Sequence, residues 1–304
     1  MRLQHIISAR QFDKKNLDKI FEITDRIKQN KFRKDFMSGR IMATLFYEPS
    51  TRTRLSFESA MIKLGGKVIT TENASEFSSV AKGENLEDTI RVVHSFCDVI
   101  VLRHPIVGGS EIAAKYSKVP IINAGDGEGE HPTQALLDLY TIFSKYKKRN
   151  FTIAMVGDLK NGRTIHSLSF LLSLYQNIKI VFVSPRALAI PKFLKEHFDQ
   201  KKIKFDQTES LDDALKQSDI IYQTRIQKER FKTESDYSRY FGRYIIDQKS
   251  LKLVKKNAII MHPLPRINEI SPQVDEDQRA IYFEQAQNGV YTRMAILMFL
   301  FDIL

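Results

Sequence analysis

Apolar and polar residues alternate in blocks along this 304-residue chain, and the period changes from block to block. "DKKNLDKIFEITDRI" sets Leu17, Ile20, Phe21 and Ile27 at helical spacing behind Asp13, a suitable N-cap. "RIMATLFYE" then predicts a buried strand. "TRLSFESAMIKLGG" predicts a helix with Phe57, Ala60, Met61 and Leu64 on one face and glycines at its end. "GKVITTE", "CDVIVLRH" and "VPIINAGDG" read as strands, with helices between them in "LEDTIRVVHSF" and "SEIAAKYS". A long helix follows in "TQALLDLYTIFSKYKK". After Arg149 the rhythm restarts with the strand "FTIAMVGD" and the helix "TIHSLSFLLSLYQ". "KIVFVSP", "KIKFDQT", "SDIIYQT" and "NAIIMHP" are further strands, separated by helical or irregular segments. "YFEQAQNGVYTRMAILMFLFDIL" closes the chain and is apolar enough for a packed helix.

Strands alternating with helices argue for parallel sheets covered on both faces. The pattern therefore predicts an α/β protein of two doubly wound parallel-sheet domains, joined by the long helix near 132 to 148. In such sheets ligands collect beyond the carboxyl ends of the strands. Those ends carry Ser50-Thr51-Arg52-Thr53, "SSVAKGE", Arg103-His104-Pro105 and "GDGEGEHPTQ" in the first half. In the second half they carry "GDLKNGRTIHS", "YQTRIQKER" and "MHPLPR".

Composition narrows the classes. Hydrophobic residues at 42% and charged residues at 27% suit a folded, water-soluble chain. No apolar run reaches the roughly 18 residues of a membrane span, and "MRLQHIISARQFDKK" lacks the apolar core of a signal peptide, so a cytoplasmic location is expected. The single cysteine, Cys97, excludes an internal disulfide framework and a multi-cysteine zinc site, and its apolar strand makes it a core residue. A net charge of +11 leaves nucleic acid, anionic membrane and small anionic substrates open as partners. "KYKKR", 145 to 149, looks basic enough for nucleic acid but is better read as a helix C-terminus whose cations offset the dipole.

"FYEPSTRTRLSFE" is the most informative stretch. A helix N-terminus offers unpaired N–H groups and a positive dipole end. Adding the Ser50, Thr51 and Thr53 hydroxyls and the Arg52 guanidinium makes a cradle for phosphate, which Arg meets with a planar fork. The glycine-rich run of a Walker loop is missing, and "VGDLKNGRT" has no dinucleotide fingerprint. Taken alone, Ser/Thr before a helix is equally well a plain N-cap, and a lone histidine such as His131 is more often a satisfied core residue. Those readings leave unexplained why such residues coincide at the strand ends.

The stretches "FYEPSTRTRLSFE", "SSVAKGE", "VLRHP", "GDGEGEHPTQALLDLYTI", "GDLKNGRTIHSL", "TRIQKERF", "MHPLPRINEI" and "NGVYTRMAIL" resemble the aspartate/ornithine carbamoyltransferase family. They cover about residues 41 to 300 in the family's order. Glu48-Pro49 before the first motif, "RIQKER", and "HPLPR" without a cysteine are similar to the catalytic chains of the aspartate branch. The resemblance implies a carbamoyl-phosphate-binding domain of 1–131 plus 287–304, on which the C-terminal helix packs back, and an aspartate-binding domain of 132–286. It implies that Ser50, Thr51, Arg52 and Thr53 bind phosphate. Arg103 and His131, with Thr53, are expected at the carbonyl oxygen. Gln134 and the backbone carbonyls of Leu264 and Pro265 are expected at the carbamoyl NH2.

By the same resemblance Arg163, Arg225 and Gln227 hold the carboxylates of aspartate, while Ser78 and Lys82 arrive from the neighbouring copy of a homotrimer with shared sites. The implied reaction joins carbamoyl phosphate to L-aspartate in an early step of pyrimidine biosynthesis. No metal or cofactor is expected, and no membrane or nucleic-acid partner; regulatory chains stay open as partners. The ornithine branch is the nearest alternative, disfavoured by Arg163, Arg225 and Gln227. A nucleic-acid-binding α/β protein and a silent scaffold are alternatives of another class. The first needs cations on one continuous face with interleaved aromatics.

Overall fold

The computed structural model describes residues 3–73, 83–147, 149–231 and 233–301. Ser78 and Lys82, with most of "SSVAKGE", lie outside the described residues. The chain divides into two compact units, Met1–Tyr140 with Gln287–Leu304, and Thr141–Ala286.

The first unit holds a four-stranded sheet in the order β2-β1-β3-β4, made of β1 (Ile41–Phe46), β2 (Lys67–Glu72), β3 (Val99–His104) and β4 (Ile121–Asp126). All its pairings are parallel. β1, β3 and β4 are buried nearly throughout, as continuous apolar runs in a sheet covered on both faces require. β2 ends the sheet on one side and has only exposed and half-buried positions. The Thr51–Lys63 helix leaves β1 and buries Phe57, Ala60 and Met61, each fully, together with Thr53. Burial of each large apolar side chain stabilises by about 1.5–3 kcal/mol. Asp13 caps the Lys14–Lys28 helix as its spacing predicts, accepting from the Asn16 N–H at 2.7 Å. Cys97 lies two residues before β3 rather than on it, buried at 9% exposure, and burial pushes its thiol up to about 11.

The second unit holds five parallel strands in the order β7-β6-β5-β8-β9. They are β5 (Phe151–Val156), β6 (Ile178–Val183), β7 (Phe205–Thr208), β8 (Ile220–Gln223) and β9 (Ile259–Met261). Three short helices, Lys192–Lys201, Leu211–Gln217 and Glu234–Ser238, occupy segments between strands for which the apolar pattern allows either helix or irregular chain.

The change of compact unit falls inside the Pro132–Lys145 helix, at Tyr140/Thr141, nine residues beyond the domain boundary that the resemblance implies. The reason is packing. Tyr140 donates its hydroxyl to Asp25 at 2.7 Å, and Leu137 lies beside Gly289 of the last helix, Tyr282–Phe301, so these turns belong with the first unit.

Each sheet has one switch point, where successive crossovers leave in opposite directions. In the first unit it lies between β1 and β3, whose register pairs Phe46 with Arg103. In the second it lies between β5 and β8, pairing Val156 with Gln223. There Gly157 takes φ +125°, and a Cβ on it would stand 2.4 Å from the Thr224 carbonyl oxygen. A Gly157→Ala variant should therefore lose more than about 1 kcal/mol in urea unfolding, through strain and collision together. Wild-type stability would show that the β5–β8 approach is looser than described.

Candidate functional site

In the first unit the site is built on the two strand ends beside the switch point. Ser50 occupies the N-cap of the Thr51–Lys63 helix, yet its side chain makes no capping bond. Its hydroxyl instead accepts from Arg103 Nη1 at 3.2 Å. The neighbouring backbone is tied in the same way, with Tyr47 N–H donating to the Arg103 carbonyl at 2.9 Å. Arg103 also faces Glu48, at 3.3 Å between Nε and Oε2. Thr51 and Arg52 are exposed in the first turn of the helix, and Thr53 is buried. The two arginines of the motif thus part company. Arg54 pairs with Glu58 and Glu72, at 3.3 and 2.9 Å, while Arg52 is exposed in the first turn of the helix.

His131 precedes the Pro132–Lys145 helix and is buried at 5% exposure, with Thr133 Oγ1 3.5 Å from its Nδ1. The loop before it is pinned at both ends. Glu130 accepts from the Ser8 hydroxyl at 2.5 Å and the Ala9 N–H at 2.7 Å. Asp126 accepts from the Glu130 and Gly108 N–H groups at 2.7 and 3.0 Å. Gln134, one turn further on, donates its Nε2 to Asp138 Oδ1 at 2.9 Å. His104, which sits among the strand-end residues in the sequence, is structural: its ring packs edge-on to Tyr47 at 4.8 Å and its Nδ1 accepts from the Ile106 N–H. Burial lowers its pKa and keeps it neutral.

In the second unit Arg163 opens the Arg163–Leu172 helix, at the end of the loop that follows β5. Asp158, fully buried in that loop, accepts from the Asn161 N–H and from its side-chain amide, both at 3.1 Å. Burial raises its pKa against the pull of those bonds. Gln227 donates Nε2 to the Asn161 carbonyl at 3.2 Å, so the loops carrying Arg163 and Gln227 are bonded to each other. Arg225 lines a cavity at the switch point with Gly157, Gln223, Tyr237 and Glu269. Leu264 and Pro265 lie in a loop organised by His262. Leu264 N–H donates to His262 Nδ1 at 2.8 Å, which makes Nε2 the protonated nitrogen, and it donates to Glu269 at 2.8 Å. Burial pushes Glu269 up, but His262 and two backbone N–H groups outweigh it and hold the carboxyl below its usual range. Arg266 is taken up by Asp275 and the Tyr282 hydroxyl.

The structure thus joins Ser50 to Arg103, and the Arg163 loop to Gln227. Glu48, which the sequence marks only as a branch signature, supports Arg103, and Glu130, Asp138, Asp158 and Asn161, which sequence reasoning did not single out, support the rest. Two strand-end clusters of guanidinium, hydroxyl and N–H groups suit anionic ligands, one cluster in each unit. Among the described residues no group of three or more His, Cys, Asp or Glu side chains is placed to hold a metal ion.

Residues 4–144 match the family model described as aspartate/ornithine carbamoyltransferase, carbamoyl-P binding domain, and residues 149–300 match its Asp/Orn binding domain. A chloroplastic aspartate carbamoyltransferase of Arabidopsis thaliana is 50% identical over 303 residues, covering 98% of this chain and 78% of the plant protein. The catalytic subunit of M. jannaschii aspartate transcarbamoylase superposes with a TM-score of 0.90 at 48% identity, with 99% of each chain covered. The aspartate transcarbamoylase of Trypanosoma cruzi, solved with carbamoyl aspartate and phosphate, gives 0.91 at 41% identity, covering 97% of this chain and 95% of that one.

Removing an N-cap hydroxyl ordinarily costs about 1 kcal/mol. Because the Ser50 hydroxyl caps nothing, Ser50→Ala should cost well under that in urea unfolding while weakening the binding of inorganic phosphate. A full capping loss with unchanged phosphate affinity would return Ser50 to the role of a plain helix cap.

Proposed function

This chain belongs to the aspartate/ornithine carbamoyltransferase family, and on that premise we propose that it transfers the carbamoyl group of carbamoyl phosphate to L-aspartate, releasing phosphate. The observation that carries the reading is the Ser50 hydroxyl, turned away from its own helix toward Arg103 at the switch point. With Thr51, Arg52 and Thr53 it forms the phosphate cradle, where the helix N-terminus and a planar guanidinium meet the oxyanion.

The reaction follows from charge. The α-amino group of aspartate attacks the carbamoyl carbon and a tetrahedral intermediate forms, with negative charge on the former carbonyl oxygen. Arg103, His131 and the Thr53 hydroxyl stabilise that oxygen; loss of one such donor typically costs about 10²–10³ in rate. The intermediate collapses by breaking the bond to phosphate, whose charge Arg52 and the helix N-terminus receive. The departing phosphate accepts the amine proton, so no side-chain base is required. Gln134 and the carbonyls of Leu264 and Pro265 take the carbamoyl NH2. Holding both substrates together contributes several kcal/mol of the barrier.

Arg163, Arg225 and Gln227 bind the two carboxylates of aspartate. Ornithine has a cationic side chain that gains nothing from these two arginines. The M. jannaschii and T. cruzi structures and the plant relative all bear the aspartate name, which supports the same choice. Parallel assays of ureido-product formation, with L-aspartate or L-ornithine, test it. Product with aspartate alone is expected. Product with ornithine alone would overturn the reading of the second unit while leaving the phosphate site intact.

The proposal extends to a homotrimer in which Ser78 and Lys82 complete the site of a neighbouring copy. Ile62, Ile106 and Val107 of the first unit are each 60% or more exposed, which is the apolar surface an interface between copies would cover. Lys82→Ala and Arg52→Ala proteins are each expected to be nearly inactive. Dissociated and reassembled together, they should regain part of the activity, because some sites then receive both native residues. Hybrids as inactive as the parents would rule out shared sites.

A further inference from the structure

Behind Gln134 lie two buried charged groups of opposite sign that the reaction itself does not use. Asp138, one turn along the same helix, is fully buried and accepts from Gln134 Nε2 at 2.9 Å. Arg293, from the last helix, is 3% exposed and is drawn electrostatically to Asp138. Its guanidinium sits 5.0 Å from the ring of Phe57, which belongs to the helix opened by the Ser50–Thr53 cradle. The chain makes room for it. A Cβ at Gly289, one turn before Arg293, would stand 2.5 Å from Arg293 Nη1 and 3.3 Å from Leu137. A glycine inside a helix costs about 1 kcal/mol against alanine, and here the missing side chain leaves the space the guanidinium fills. Burial pulls Arg293 down to about 10 and Asp138 opposes that fall, so the group is a cation at neutral pH.

We propose that Asp138 and Arg293 are positioning residues for carbamoyl transfer, fixing which end of the Gln134 amide meets the substrate. An ionised carboxylate only accepts hydrogen bonds, so it turns Nε2 of Gln134 toward itself. Oε1 is then the end presented elsewhere, as an acceptor. A carbamoyl NH2 group has two donors and requires acceptors, and a flipped amide would oppose donor to donor. Arg293 favours the ionised form of the Asp138 carboxyl, because a buried carboxyl without a cation nearby favours the protonated form, which can donate. This rests on the reading of Gln134 as the acceptor for carbamoyl NH2.

The test compares the affinities of carbamoyl phosphate and of acetyl phosphate, in which a methyl group stands where the NH2 would be. Both are measured on the wild type and on Asp138→Asn, Arg293→Met, Arg293→Lys and Gln134→Ala, with thermal unfolding of each. Asp138→Asn, whose amide can either accept or donate and so no longer fixes Gln134, should lose severalfold for carbamoyl phosphate and almost nothing for acetyl phosphate. Arg293→Met should move the ratio in the same direction, and Arg293→Lys should restore it. Equal losses for both ligands would mean that the pair only supports the fold, and would overturn the proposal. Gln134→Ala separates the two ideas. If it keeps the wild-type preference for carbamoyl phosphate, the reading of Gln134 fails. If it loses that preference while Asp138→Asn keeps it, the positioning role alone fails. Should Asp138→Asn not fold, the Met and Lys replacements of Arg293 decide on the same ratio.

Discussion

Parallel pairing sets the height of every functional side chain in this protein. Because neighbouring strands run the same way, their carboxyl ends finish at one level, and the register decides which residues stand side by side there. β1 and β3 pair Phe46 with Arg103, so the turn that follows β1 must pass the Arg103 side chain, and the Ser50 hydroxyl meets it. β5 and β8 pair Val156 with Gln223, so the next residues of both strands, from Gly157 and from Thr224, leave the sheet together. A slip of one residue in either pair would send each of these side chains to the opposite face. The continuous apolar burial of β1, β3, β5 and β8 holds the registers, which links core packing directly to the site.

The strands and the longer helices were legible in the sequence because their apolar periods are strong, as in "RIMATLFYE" and "TRLSFESAMIKLGG". The helices at Lys192–Lys201, Leu211–Gln217 and Glu234–Ser238 could be allowed for but not placed, since they are short, polar and carry few buried residues. The change of compact unit inside the Pro132–Lys145 helix was not legible for a related reason. Pattern shows where a helix begins, but only tertiary contacts such as Tyr140 with Asp25 show which unit owns each turn.

Site residues were visible where chemistry and position coincided, as with arginines and hydroxyls after strands. Their supports were not. Asp158, Glu130 and Asp138 are carboxylates whose role is to accept hydrogen bonds from a loop or an amide, and nothing in their spacing distinguishes them from solvated acids. A partial signal was present in Gly289, since a glycine inside an apolar helix asks what fills the space beside it. The same limit applies to Arg54 and Arg266, which follow strands as the candidate site arginines do but are matched to carboxylates from elsewhere in the fold.

The first unit is discontinuous, and this orders events during synthesis. Residues 141–286 form an uninterrupted unit that can close on itself as soon as it leaves the ribosome. The first unit emerges earlier yet waits, because Gln287–Leu304 is part of it. Until then the nascent chain holds Asp138 without its buried cation, and the side of Phe57 that Arg293 covers has no guanidinium against it. A chain that stops before the last helix is therefore deprived of part of its oldest domain, the one translated first.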